Sequence, residues 1–198
     1  MRALLSIDYT NDFIADSGAL TCGQAGQAIE AEMVRLAEEF LQAGDYVTLA
    51  VDMHDPADTR HPENKLFPAH NLSGTKGREL YGALGDWYKK HKHEENVYWM
   101  DKTRYSAFAG TDLYLRLKER GINEIHLCGV CTDICVLHTM VDGYNLGFQL
   151  AAHIKATASF NNAGHLWALE HFKNALGAKI ISGEAQNHEN GVVFDHRF

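Results

Sequence analysis

Three short stretches hold side chains suited to covalent or metal-assisted chemistry. The first is "GVCTDICV" (129–136), which places Cys131 and Cys135 four residues apart with Cys128 just upstream. The residues from Thr132 onward predict a helix, and Cys135 falls in its first turn. Free N–H groups and the helix dipole favour an anion there, so the position predicts a stabilised thiolate. A neighbouring lysine would lower the thiol pKa further, and a carboxylate could take the proton on attack. Lys102 and Asp8 are the candidates for those roles. The same first-turn amides could hold an oxyanion. The competing reading is that Cys135 is a small buried residue, the usual fate of cysteine. Cys128 and Cys131 also make a C-x-x-C. Cys128 lies inside an apolar strand, whereas a redox pair straddles a helix N-terminus, and no second C-x-x-C completes a zinc site. Cys22 has no cysteine near it in sequence and is expected to be structural or incidental.

The second stretch runs from Asp52 to His70 and contains Asp52, His54, His61, Glu63 and His70. Asp52 and His54 are two apart at the end of an apolar run, so in extended backbone both point to one side. Mixed imidazole and carboxylate donors suit zinc, and also iron or manganese. A solvated histidine-rich loop is the alternative. The third group is aromatic. Phe13, Phe67 and Tyr105 lie close in sequence to Asp8, to the histidine-rich loop and to Lys102. Aromatics usually fill a core, but three beside one site could also sandwich a flat ring.

These residues need a scaffold, and the hydrophobic pattern supplies one. Apolar runs at 3–7, 46–51, 96–100, 124–130, 148–156 and 178–182 read as strands. Between them, 25–43, 77–90, 111–121, 132–147 and 162–177 show helical spacing or helix stop signals. The alternation predicts an α/β fold: a three-layer α/β/α sandwich around a mostly parallel six-stranded sheet, with 1–198 as one domain. In such open sheets the ligand sits beyond the carboxyl ends of the strands. Asp8, Asp52 with His54, Lys102, and Cys131 with Cys135 follow strands one to four in turn. Residues 53–95 are too long for an ordinary connection, which marks that segment as functional or as holding structure of its own.

Bulk composition excludes several classes. With 198 residues, 45% of them hydrophobic and 22% charged, the chain matches an ordinary globular protein that needs no disulfide staples. A net charge of −8 argues against a nucleic-acid partner, whose phosphates require a basic face. No apolar run is long enough to span a membrane, and the N-terminus meets Asp8 too soon for a signal peptide. The expected compartment is cytoplasmic, where the four cysteines stay reduced.

Taken together, the stretches resemble the nicotinamidase branch of the isochorismatase-like cysteine hydrolases. Four blocks carry the likeness in the family's order: "IDYTNDF" (7–13), "VDMHDP" (51–56), "DKTRYSAF" (101–108) and "GVCTDICV" (129–136). The resemblance implies a triad of Asp8, Lys102 and Cys135, with Cys135 as nucleophile. It implies an oxyanion hole from the backbone N–H groups of Cys131 and Cys135, and a cis peptide between Val130 and Cys131. Many relatives use histidine as the third metal-binding side chain. This loop is similar to a branch with glutamate there, which implies Asp52, His54, Glu63 and His70, with His61 as the alternative to Glu63. One divalent ion per chain follows, zinc first, with iron or manganese as alternatives. Asn71 stands where many relatives have cysteine, and no function is read into it. The implied activity is hydrolysis of nicotinamide to nicotinate and ammonia through a thioester, in NAD salvage. The ion would bind the pyridine nitrogen, and Phe13, Phe67 and Tyr105 would line the ring. The alternative is a cysteine hydrolase of another small amide or carbamoyl compound, such as pyrazinamide, N-carbamoylsarcosine or a ureide. Relatives are often dimers or tetramers, so a homo-oligomer is expected. The tail "GEAQNHENGVVFDHRF" carries no motif and is read as an interface segment or a lid.

Overall fold

The computed structural model describes residues 1–183. Six strands form one sheet: β1 (Ala3–Ile7), β2 (Tyr46–Asp52), β3 (Val97–Lys102), β4 (Glu124–Val130), β5 (Gln149–Ala158) and β6 (Lys179–Ile181). Their order across the sheet is β3-β2-β1-β4-β5-β6, and every neighbouring pair is parallel. The sheet is thus parallel throughout rather than mostly so. The chain leaves β1 toward one edge and returns through β4 toward the other, which makes the β1/β4 boundary the switch point where a crevice opens.

Seven helices connect the strands: α1 (Asn11–Ile14), α2 (Gly23–Gln27), α3 (Glu30–Gln42), α4 (Gly82–His91), α5 (Leu113–Glu119), α6 (Leu137–Asn145) and α7 (Asn162–Asn174). Alternating side chains of the strands supply two cores. On one face Leu4, Val47 and Leu49 pack with Met33, Leu36 and Phe40 of α3 and with Leu84 and Trp87 of α4. On the other, Leu5, Ile7 and Leu127 pack with Leu113 and Leu117 of α5, Met140 of α6 and Phe172 of α7. Three layers result, as expected.

Beyond shifts of one to three residues at other ends, three helices depart from the sequence pattern. The helix expected over 25–43 is two, broken at Ala28 and Ile29. The helix expected over 77–90 starts later, because Tyr81 is extended and Gly82 takes a φ of 50°, open to glycine without steric cost. The helix expected from Thr132 opens as a wide π-helical turn, Thr132–Val136, before α6. Among the described residues no helix is long and apolar enough to cross a membrane. The tail from residue 184 onward lies outside the described residues.

Candidate active site and metal centre

The crevice at the switch point depends on a close approach of β1 and β4. Gly129 stands at φ 111°, and a Cβ there would meet the backbone of Ile7, so only glycine fits. Directly beyond β1 the chain bends sharply at Asp8, a non-glycine residue with φ 55°. The bend is held from two sides. The Asp8 amide donates to Ala50 O at 2.9 Å, and the Asp52 amide donates to Asp8 Oδ1 at 2.8 Å. Asp8 is fully buried.

Lys102, at the end of β3, is the hub of this cluster. Its buried Nζ lies 2.7 Å from Asp8 Oδ2, 3.5 Å from Asp52 Oδ1 and 3.6 Å from Cys135 Sγ, and it donates to Arg104 O at 3.1 Å. Burial would lower its pKa, but Asp8, Cys135 and Asp52 outweigh that and hold the ammonium well above its ordinary range. Burial raises Asp8 to about 6, against the pull of Lys102 and with the help of Asp52. Burial also pushes the Cys135 thiol well above its usual value; Lys102 opposes this, while Asp8 and Asp52 add to it. These influences act against the thiolate expected from the helix terminus. Spacing placed Cys135 near a helix start, but desolvation and two carboxylates decide its charge. The geometry sets a neutral thiol beside a carboxylate whose affinity for a proton is near neutrality, the match a general base needs.

The turn that carries Cys135 is tied down by its own motif. Cys131 precedes it in extended conformation after a cis Val130–Cys131 peptide, as the resemblance implies. Asp133 accepts from Ser159 Oγ at 2.7 Å and from Asn161 Nδ2 at 3.3 Å, and Thr132 Oγ1 meets His165 Nδ1 at 2.8 Å. Thr139 Oγ1 donates to Cys135 O at 2.7 Å and accepts from the Ala107 amide at 3.0 Å. The turn that holds Cys135 is thereby fastened both to the loop after β5 and to the loop after Lys102.

Beside Asp52 the histidine-rich loop folds back. Donor atoms of Asp52, His54, Glu63 and His70 all lie within 4.8 Å of one another, and all four residues are buried. His70 Nε2 is 3.5 Å from both Asp52 Oδ2 and Glu63 Oε2, and His54 Nε2 is 2.6 Å from Asp52 Oδ2. His70 Nδ1 can only donate to the Pro68 carbonyl, 2.8 Å away, so in the neutral ring Nε2 carries the lone pair. That Nε2 is buried without a hydrogen-bond partner. The donor set fits a divalent ion: two imidazoles and two carboxylates converge, with one lone pair left open. Electrostatics agree. Burial lowers the His70 pKa, yet Asp52 and Glu63 override it and lift it to about 10, so the cluster attracts positive charge at Nε2, either a proton or an ion that displaces it. Asp52 is held far below the usual carboxylate range; burial alone would raise it, but Lys102 and the imidazoles of His54 and His70 dominate.

His61 lies next to the quartet and outside it. Its Nε2 must donate to Thr103 O at 2.7 Å, and its Nδ1 accepts from the Glu63 amide at 3.3 Å. With both nitrogens engaged it has no free lone pair to offer, which favours Glu63 over His61 as a donor. Asn71, passed over in the sequence, is fully buried at φ 43°, a conformation asparagine tolerates. It accepts from Thr10 Oγ1 at 2.9 Å, and its amide donates to Asp12 Oδ2 at 2.7 Å. Thr10 and Asp12 of the first block thus hold the segment that presents His70.

Both clusters face one cavity of about 490 Å³. Phe13, Phe67 and Tyr105 line it, as do Asp52, Glu63, His70, Cys131 and Cys135. Leu20 and Thr21 after α1, Ile134 and Phe160 also line the wall and were missed in the sequence. Phe160 follows β5 by two residues, so the strand-end rule could have found it. Nothing in the spacing marks Leu20 or Thr21.

A parallel sheet with a buried acid, lysine and cysteine at its switch point defines a hydrolase-like α/β architecture, and comparison places it. The isochorismatase domain profile matches residues 2–185, and the chain belongs to the isochorismatase family. It is 62% identical over 179 residues to PncA of Bacillus subtilis (strain 168), described as an uncharacterized isochorismatase family protein; the match covers 90% of this chain and 98% of the relative. It superposes with a TM-score of 0.90 on the crystal structure of nicotinamidase/pyrazinamidase PncA from Bacillus subtilis, at 60% identity, over 92% of this chain and 100% of that one. A Pyrococcus horikoshii pyrazinamidase in complex with zinc is similar at 26% identity and a TM-score of 0.79, over 91% and 98% of the two chains.

Proposed function

We propose that this protein is a metal-dependent nicotinamidase that converts nicotinamide to nicotinate and ammonia, a step in NAD salvage in the cytoplasm. One observation carries the reading: a lysine-bridged acid and thiol share a single aromatic-lined cavity with a buried metal-binding quartet. Relatives named nicotinamidase or pyrazinamidase support it. Asp52, His54, Glu63 and His70 would hold the ion, zinc by analogy with the Pyrococcus protein and by donor chemistry. When bound, the ion offers a coordination position to the pyridine nitrogen.

The chain's own residues then do the following. Phe13, Phe67 and Tyr105 border the space for the ring. Asp8 takes the Cys135 proton as Sγ attacks the carboxamide carbon, so no free thiolate need accumulate. The amides of Cys131 and Cys135 receive the oxyanion. Asp8 returns the proton to the departing nitrogen, which leaves as ammonia, and Cys135 keeps the acyl group as a thioester. Asp8 next deprotonates water, which attacks the thioester; nicotinate leaves and Cys135 regains its proton. Lys102 offsets the negative charge that moves between Asp8 and Cys135. A carbamoyl or other small-amide hydrolase would use the same triad but has no need of the quartet, which favours a ring with a coordinating nitrogen.

The test is ammonia release from nicotinamide by metal-replete protein, with iodoacetamide-treated protein and Cys135→Ala alongside. Release that both treatments abolish, with metal content unchanged in Cys135→Ala, is the expected result. Release that survives in Cys135→Ala would overturn the covalent mechanism. No release from nicotinamide by the untreated protein would redirect the site to another amide.

A further inference from the structure

Cys22 has a cysteine neighbour that sequence distance hides. Its Sγ lies 3.3 Å from Cys131 Sγ, across 109 residues of chain. We propose that Cys22 and Cys131 are a redox-modification site: a peroxide converts them to a disulfide that ties the loop before α2 to the cavity wall and suspends turnover. The covalent part stands on the sulfur geometry alone, and the loss of turnover rests on the function proposed above.

Three features favour this pair over the other thiols. First, Cys131 lines the cavity, so a small oxidant can reach the contact although each residue is only 6% exposed. Second, the two sulfurs are unequal. The contact with Cys131 lowers the Cys22 pKa against the effect of burial, aided by the Phe160 backbone, while Cys131 is raised. Cys22 is thus the more acidic end of the pair, and the thiolate is the form that reacts with peroxide. Third, the alternatives are poorer. Cys128 is fully buried with its thiol on Leu5 O, and burial raises its pKa. Cys135 keeps its proton under burial.

The chemistry balances with peroxide as the only added reactant. The Cys22 thiolate attacks one peroxide oxygen, the O–O bond breaks, Cys22 becomes a sulfenic acid, and the departing hydroxide takes up the proton Cys22 released and leaves as water. Cys131 then attacks Cys22 Sγ; the S–O bond breaks as the S–S bond forms, and the departing oxygen leaves as water with the Cys131 proton. Two thiols and one peroxide yield one disulfide and two waters. An S–S bond is about 2.05 Å long, so the sulfurs must close by roughly 1.3 Å. Both ends of that movement reach the site. The Cys22 amide donates to Phe13 O at 2.7 Å, beside Leu20 and Thr21 of the wall. Cys131 supplies one proposed oxyanion amide and leads into the nucleophile turn.

The experiment exposes reduced, metal-replete protein to a slight molar excess of hydrogen peroxide. It reads intact mass, free-thiol number, mapped peptides, nicotinamide turnover and the rate of Cys135 alkylation. The expected result is a loss of two hydrogens, a fall from four free thiols by two, and a Cys22–Cys131 linked peptide. Turnover should drop at least tenfold and recover with dithiothreitol, and Cys22→Ser should keep turnover under the same exposure. Unchanged thiols, an oxidised Cys135 in place of the linked peptide, or equal inactivation of Cys22→Ser would each overturn the proposal. A linked peptide with undiminished turnover would overturn the suspension of activity. If Cys22→Ser does not fold, the peptide map of the wild-type protein decides. If the reduced protein does not turn over nicotinamide, the map still decides the bond, and a Cys135 alkylation rate that the disulfide leaves unchanged counts against its effect on the site.

Discussion

Two buried polar clusters sit on this sheet, and they are built on opposite terms. At the carboxyl ends of β1, β2 and β3, one ammonium is shared by two carboxylates and a thiol, next to an imidazole nitrogen with no partner. On the α3 face of β4 and β5, beneath Phe40, His126 and His153 meet at 2.9 Å between Nδ1 and Nε2. There the bonding closes on itself. His126 Nε2 donates to Glu124 Oε1 at 3.2 Å, so its Nδ1 must accept from His153 Nε2. Burial pushes both imidazoles toward the neutral form, His153 to about 4 with the help of His126 and Arg35. A cluster that satisfies itself without charge is structural. A cluster that retains charge and leaves a lone pair open toward a cavity is equipped to bind and react.

The contrast breaks most visibly at Lys102. In Lys102→Met the carboxylates of Asp8 and Asp52 lose the charge that compensates them, while remaining buried. Removing one partner of a buried ion pair costs about 3–5 kcal/mol, because the other charge is left uncompensated. Urea denaturation should show a loss of that order, and turnover should fall by about 10³-fold or more as the triad loses its cation. A Lys102→Met protein of wild-type stability would mean that the cluster is not held by its charges, and the distinction between the two regions would fail.

How much of this was visible beforehand follows the same division. The ends of strands are legible from hydrophobic pattern, and the rule that ligands sit beyond them located Asp8, Asp52, His54, Lys102 and Cys135 at one edge; the four motif blocks supply the roles proposed for them. What could not be read depends on partners distant in sequence. His61 and Glu63 are both plausible donors by type, and only the Thr103 carbonyl and the Glu63 amide show that His61 is already occupied. The protonation of Cys135 turns on a balance of burial against Lys102 that spacing does not encode. Cys22 looked isolated because its partner lies 109 residues away in sequence. The break at Ala28 carries no glycine or proline of its own, so periodicity ran through it.

The charged region can be sharpened at its rim through His61. It touches no substrate space and holds Glu63 from behind, while its ring packs edge-on against His54 at 4.6 Å. His61→Phe keeps a ring and deletes both hydrogen bonds. Groups that orient metal-binding side chains typically change affinity by about 10–100-fold when removed. Chelator competition should show a zinc dissociation constant weakened by that factor, with turnover at saturating zinc much less affected. Unchanged zinc affinity would make His61 a packing residue and confine the metal-organising region to the quartet.

The smallest effect belongs to the neutral pair, and its sign separates the two regions. His153 has a folded pKa of about 4 against an ordinary value near 6.5. Between those values the unfolded chain binds the extra proton, so stability falls as pH drops from 6.5 toward 4 and is unaffected above that window. Arg35 and Arg2 add to the resistance to protonation, Glu32 opposes it, and on His126 Glu124 opposes Arg2 and Lys179. One unmatched proton contributes at most about 1.4 kcal/mol per pH unit, so from pH 6.5 to 5 the pair accounts for roughly 1–2 kcal/mol. His153→Gln retains an N–H for His126 Nδ1 but cannot titrate. Its stability should match the wild type at pH 7.5 to within about 1 kcal/mol and decline less steeply on acidification. The difference between the two proteins should grow between pH 6.5 and 5, as measured by urea midpoints on chelator-treated samples so that metal loss does not contribute. If the two curves run parallel, the histidines are charged in the folded state, and this cluster resembles the one at the opposite edge after all.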